Sequence, residues 1–492
     1  MKGDEMLVLV TIFLPIVLGL VLPTLKLSSK VRNVYVVIAS VIASALALYV
    51  VYASKFTAWT LLDINRVFSI GFKIDGLTKV FLLIIAVLWP IAVLYATEYM
   101  EHEENQDSFF RYYLIAFGIA IGLSFSRNVI TMYLFYELLT FLTLPLIMHD
   151  IYDRKTLYAG KVYLIVSVLG ASIALIGIII LTTQVSSVEF IYGGHIKEVA
   201  YKNNELLINI AYILCFIGFG VKAAILPFTY WLPTCGVAPT PVSALLHAVA
   251  VVKAGVFAIM RVTYYLFGNT LLVGSIAQKV TMAIAIITIL YGSIMAVKEK
   301  HIKRRLAYST ASNLSYILFA VTLMTSSGFA AGMTHMVFHA IMKINLFFIA
   351  GAIMIYANKE YVGDMKGLAK KMPVEMFAFL IASLAMVGIP LTCGFISKYK
   401  LITAEIAVNN KEGYLGMVAI IISSMLTLIY LFSIVITSYI PGADFNDKEL
   451  KGIKSSGNVM KFVFILISIM IIYFGVNSSN LLHYIDTVAI NG

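Results

Sequence analysis

Charge is scarce in this chain. Of 492 residues 12% are Asp, Glu, Lys or Arg against 61% hydrophobic, and the mean hydropathy is +0.94. Soluble domains do not reach that balance, so a polytopic protein of the lipid bilayer is expected. Cysteine is scarcer still: Cys215, Cys235 and Cys393 are scattered and apolar-flanked, with no CxxC spacing. That excludes a disulfide framework and an iron–sulfur or zinc cysteine site. No cofactor is expected in the chain, and any redox centres belong to partner subunits. A basic, aromatic-interleaved nucleic-acid module is missing, so the net charge of +11 reads as a bias of cytoplasmic loops. A nucleophile, a pair of neighbouring aspartates and a metal motif are missing too, which argues against a membrane enzyme.

What is present is long apolar runs. Windows of spanning length fall at 6–25, 33–53, 75–97, 110–126, 128–148, 158–183, 207–231, 241–266, 271–297, 304–326, 329–357, 373–408, 413–440 and 459–482. The expectation is an all-α membrane protein of about fourteen transmembrane helices. The first run lacks a small-residue cleavage site and reads as a retained helix. Lys and Arg concentrate after odd-numbered helices, at Lys26 to Arg32, Arg154 and Lys155, Lys298 to Arg305, Lys359 to Lys371 and Lys448 to Lys461. The positive-inside rule then puts both termini on the outer side of the plasma membrane.

The stretch 210–261 holds the costliest residues. Two spanning segments carry Lys222 and Lys253 near their middles, and a central lysine costs about 2.5–3.5 kcal/mol on insertion scales. Pro227, five residues after Lys222, cannot donate to the Ala223 carbonyl, so the helix should break beside the charge, where protein or water must satisfy the backbone. The twelfth window has its own interruption, GIPLTCG, around Gly388 and Pro390. Broken helices seven and twelve, five apart, suggest two inverted five-helix repeats, 109–266 and 267–440, flanked by 1–108 and 441–492.

Other ionisable residues lie deep in these windows. Glu137 is the one carboxylate well inside the fifth; it is either a helix-end cap or the ion-pair partner of Lys222. His247 and Lys253, six apart, can face two neighbours of an axial path. His335, His339 and Lys343 recur every fourth residue on one face. Two histidines at that spacing suit a metal, but no HExxH glutamate or further ligand accompanies them, and a hydrated proton path fits better. Lys398 follows the second break, either as a further path residue or snorkelling beside Lys400. Arg304 and Arg305 read as an interface anchor and Asp75 as a cap or interface group.

The run VKAAILPFTYWLP followed by APTPVSALLHAVAVVKAGVFAIMR resembles the core signature of the Mrp-type cation/proton antiporter subunits, a family found also in complex I, in membrane-bound hydrogenases and in related archaeal respiratory complexes. KRRLAYSTASNLSY, 303–316, resembles it as well, and the likeness covers about 75–439. It implies the inverted repeats with broken helices, an ion pair between Glu137 and Lys222, and Lys398 as the end of the buried charges, gating exit to the outer side. One departure stands out: many members have a histidine in the link after WLP, where this chain has Thr234, Cys235 and Gly236, which puts a proton relay there in doubt. The expected function is proton translocation, with or without sodium exchange, within a multisubunit assembly of hydrophobic partners. A stand-alone transporter of an organic solute is the alternative.

Overall fold

The computed structural model describes residues 3–65, 68–185, 187–442 and 445–492. The chain opens with α1 (Gly3–Val21) and α2 (Ser29–Tyr52), forms a hairpin of β1 (Ala58–Asp63) and β2 (Ser69–Lys73), and continues through α3 (Gly76–Tyr99), α4 (Gln106–Ser124), α5 (Val129–Ile147) and α6 (Arg154–Thr182). A short α7 (Glu198–Asn203) leads to α8 (Glu205–Gly220), an irregular segment and the single turn α9 (Trp231–Thr234). α10 (Thr240–Ala244) and α11 (Val251–Arg261) form one rod through π-helical turns at Leu245–Val249 and Val262–Phe267. Then come α12 (Ile276–Lys298), α13 (Ile302–Thr322), α14 (Ser326–Ala352), α15 (Pro373–Val387), α16 (Cys393–Ala407), α17 (Lys411–Tyr439), α18 (Asn458–Val476) and α19 (Ser479–Asn491).

Ten of the described helices are long and apolar enough to cross a bilayer, so the chain is a predominantly helical, multi-pass membrane protein. Polar residues placed just ahead of the apolar runs start several helices by accepting from the first free backbone amides. Asp75 accepts from Thr78 N, Asn128 from Thr131 N, Thr325 from Gly328 N and Asn410 from Gly413 N.

The sequence reading needs two corrections, one to its all-α class and one to its last span. β1 and β2 pair antiparallel, Trp59 opposite Phe72, and Phe72 is buried. Strands of five or six residues fall below any window sized for a bilayer, so an apolar-run reading passes over them. The hairpin also ties neighbouring loops together: Arg127 donates to Thr60 Oγ1 at 2.7 Å and pairs with Glu189 at 2.9 Å. Secondly, the last apolar window ends as two helices. α18 stops at Val476, and the amphipathic α19 buries Ile485, Val488 and Ala489, setting Val488 against Gly76 at the start of α3.

The centre consists of two rods. Every residue from Thr240 to Gly268 is buried, as is every residue of α14 from Gly328 to Ala352. Helices wrapped in protein on all sides can carry lysines and histidines without offering them to lipid.

Both expected interruptions are present. α8 stops at Gly220 and helical turns resume only at Phe228, so the gap opens ahead of Pro227 and Lys222 lies inside it. The freed backbone is partly satisfied by side chains: Val221 O accepts from Trp231 Nε1 at 2.8 Å, and Leu226 N donates to Thr288 Oγ1 at 3.0 Å. α11 closes on the gap through Gly255, where a Cβ would stand 2.8 Å from both Ala223 N and Phe219 O. The second gap separates α15 from α16, with Gly388 at φ +95° and Leu391 at φ +69°. Pro390 sits in this gap, where the lack of an amide hydrogen costs no helical bond.

Candidate functional site

Lys222, in the first gap, is buried. Its Nζ donates to Tyr136 O on α5 and lies 3.3 Å from the centre of the Tyr136 ring. Glu137, the next residue of α5, is half-buried with Oε1 buried and unpartnered. No direct Glu137–Lys222 ion pair forms among the described residues. The ammonium rests on a carbonyl and a ring face, which stabilise it without a counter-ion.

From there the rods take over. Lys253 on α11 meets His339 on α14, Nζ to Nδ1, at 2.7 Å. His247, in the π turn, stacks on Phe347 of α14 with ring centroids 4.4 Å apart, both ring nitrogens buried and unpartnered. On α14 the expected face is realised: the His335 and His339 rings are 5.9 Å apart, and Lys343 points to Ser309 Oγ of α13 at 2.7 Å. His335 Nδ1 lies 3.0 Å from Ser397 Oγ on α16. The next residue, Lys398, donates to Ser424 Oγ at 2.8 Å and to Val387 O, in the last turn of α15 before the second gap, at 3.1 Å. Lys398 is buried, which removes the snorkelling reading. Pro227, Gly388 and Pro390 delimit the two gaps, each with a lysine at or beside freed carbonyls.

The structure thus brings Lys253 to His339, and His335 to Ser397 beside Lys398, across helix boundaries, whereas His247 stands against an aromatic ring. It also adds groups that sequence reading passed over. Ser309 Oγ is 2.6 Å from Tyr430 OH, and Tyr430 OH donates to Thr427 at 3.1 Å. Ser293, Ser312 and Ser423 join at 2.8 and 3.0 Å, and Tyr316 OH donates to Ser423 Oγ. The Tyr316 ring bridges the later part of the row, 5.5 Å from His335 and 5.7 Å from Lys398 Nζ. The spacing was available: Ser309, Ser312 and Tyr316 on α13, and Ser423, Thr427 and Tyr430 on α17, each recur every three or four residues and so share a face. Hydroxyls donate and accept at once, so such clusters can pass protons between bases.

Arg305 differs from expectation, whereas Asp75 fills its expected capping role and a further one. Arg305 is buried and donates to Tyr430 O at 2.8 Å and Ser433 Oγ at 2.7 Å, so it holds α13 to α17 within the protein. Asp75 does cap α3, and it also takes Arg261 of the first rod in a two-armed pair at 2.5 and 2.9 Å. Burial pushes the Asp75 carboxyl up, but the adjacent Arg261 charge, its hydrogen bonds and the Thr78 amide outweigh this and leave it below the usual carboxylate range.

Comparison with known proteins places this architecture. The family model described as NADH:quinone oxidoreductase/Mrp antiporter, TM, matches residues 126–427, and that for the NADH-ubiquinone oxidoreductase (complex I) chain 5 N-terminus matches 62–110. The Na(+)/H(+) antiporter subunit A1 of Staphylococcus aureus is 31% identical over 379 residues, 73% of this chain and 46% of that protein. The chain therefore spans about half the length of the curated relatives it matches. Among solved structures, a chain of the membrane-bound sulfane sulfur reductase, an archaeal respiratory membrane complex, superposes with a TM-score of 0.84 at 22% identity, covering 98% of this chain and 97% of that one. A chain of the Mrp complex from a Dietzia species gives 0.83 at 20%, covering 100% and 98%. A chain of respiratory complex I from Thermus thermophilus gives 0.79 at 21%, covering 98% of each. These identities speak to the fold alone; the family follows from the match over residues 126–427, and the chain belongs to the NADH:quinone oxidoreductase/Mrp antiporter membrane family.

Proposed function

We propose that this chain is a proton-translocating subunit of a multisubunit membrane assembly, with the proton path running Glu137, Lys222, Lys253 with His247, His335 with His339 and Lys343, and Lys398. One observation carries the reading: buried bases line two fully buried rods, with Lys253 bonded to His339 and the Tyr316 ring near both His335 and Lys398, and the row has a lysine at a helix gap near each end. Structural lysines would be paired with acids. Here the bases face one another, so each charge displaced alters its neighbour by Coulomb coupling in a poorly screened interior. Proton transfer is the only bond chemistry the chain contributes; a redox reaction in partner subunits or an opposing ion gradient supplies the drive. The name of the S. aureus relative favours sodium as the exchanged ion.

The reading includes fourteen spans, both termini outside, and inverted repeats 109–266 and 267–440 between flanking segments 1–108 and 441–492. All fourteen apolar windows hold helix, and the gap falls in the fourth helix of each proposed repeat, which supports it. In the test, Lys222→Ala should lower proton translocation in vesicles at least tenfold while insertion and assembly persist, since removing a central charge cannot worsen insertion. Translocation at the parent rate would remove Lys222 from the path.

A further inference from the structure

Of the buried acids outside this row, one among the described residues has both carboxyl oxygens unpartnered. Glu405 is wholly buried in α16, and neither of its carboxyl oxygens has a hydrogen-bond partner among the described residues. It has the same helical face as the end of the row. The buried residues of α16 are Cys393, Gly394, Ser397, Lys398, Leu401, Ala404 and Glu405, a stripe on which Lys398 and Glu405 lie seven residues, two turns, apart. The start of α17 covers the acid's backbone, since a Cβ on Gly413 would stand 2.6 Å from Glu405 O. Glu405 is two residues from the end of α16.

A carboxylate enclosed without a hydrogen-bond donor is strongly disfavoured as an ion. A helix does not need an acid in such a place: the neighbouring stripe positions are Leu401 and Ala404. The position gives Glu405 a use that packing does not. Starting from the second gap, α16 leads from Lys398 through apolar Leu401 to Glu405, and the orientation proposed above turns that end outward.

We propose that Glu405 is a further proton-carrying residue, the last buried site between Lys398 and the outer surface. The inference rests on the translocating role proposed above. In the step, the Glu405 carboxyl first releases its proton outward. A Lys398 Nζ–H bond then breaks with the electron pair left on nitrogen, and an O–H bond forms on Glu405. The two sites are about 10 Å apart along the helix axis, so water carries the proton between them. Leu401, in the interval, keeps that connection intermittent and prevents a standing leak.

The test uses the chain in its native assembly, reconstituted in vesicles. Glu405→Gln keeps the shape and removes the exchangeable proton, and it should lower translocation at least tenfold; Glu405→Asp should keep a third or more. Translocation at the parent rate in Glu405→Gln, or equal loss in both variants, overturns the proposal. Lys222→Ala, measured alongside, separates the two readings: if it is inactive while Glu405→Gln is fully active, Glu405 alone is misassigned, and if it is fully active Lys222 leaves the path and the row that Glu405 would extend fails with it. The parent chain gives a check independent of folding. Dicyclohexylcarbodiimide, which modifies protonated carboxyls in apolar surroundings, should label Glu405 on peptide mapping, and absence of that label overturns the proposal.

Discussion

Among single residues, the Asp75–Arg261 pair is the most exposed to mutation. Arg261 is buried and Asp75 nearly so, and the guanidinium also lies 5.1 Å from the Phe257 ring centre and 4.7 Å from that of Tyr265. Removing one partner of a buried pair costs about 3–5 kcal/mol, because the other charge is stranded. Arg261→Leu should therefore lower the melting temperature of the detergent-purified assembly well beyond what a surface substitution does. Since the folded Asp75 carboxyl titrates below its unfolded value, its contribution is fully present above the ordinary aspartate pKa of about 3.9. It is lost as pH falls through the folded value. Melting temperature should thus be insensitive to this pair between neutral pH and about pH 5, and the wild-type advantage over Asp75→Asn should shrink in stronger acid. A second residue-scale expectation concerns His339→Leu. It removes the Lys253 contact while leaving both gaps intact, so translocation should fall at least tenfold with assembly unchanged.

At the scale of elements, the gaps depend on close approach as much as on proline. A side chain at Gly255 would meet backbone atoms of the first gap, and at Gly394 a Cβ would fall 1.8 Å from Ala385 O, so neither contact can be relieved by turning a rotamer. Gly255→Val should cost about 1–3 kcal/mol through overpacking and impair translocation through displacement of Lys222; thermal stability and proton flux, measured together, check it. The start of α18 shows another device. Glu98 of α3 accepts from Gly457 N at 2.7 Å and from Val459 N and Met460 N at 3.1 Å, while Glu375 of α15 accepts from Ser456 N at 2.7 Å. Two buried acids thus satisfy the unpaired amides and positive pole of one helix end, and Glu98→Ala should destabilise by about 2 kcal/mol. The gaps were legible in the sequence because proline and glycine interrupt apolar runs. The hairpin was not, since its alternation is too short to stand out, and neither was the Glu98 clamp, whose partners lie some 360 residues away.

For the whole molecule, the path predicts opposite accessibility at its ends. Cysteine placed at 222 should react with a membrane-impermeant reagent from one side of the vesicle and at 398 from the other; reaction of both from the same side only would contradict a path with one opening to each face. The lysines and histidines were readable as candidates because charge in an apolar window is rare. Their pairing was not, because it depends on how α14 rotates against α11 and α16, which periodicity along each helix leaves undetermined. The Lys253–His339 contact, at 2.7 Å, has a consequence for stoichiometry. A bond between two nitrogens needs a donor on one side and a lone pair on the other, so the contact exists with the pair neutral or with a single positive charge. A second proton would set hydrogen against hydrogen and break the contact. On the proposed path the junction would act as a turnstile, holding one proton at a time and opening to the next once that one has moved on.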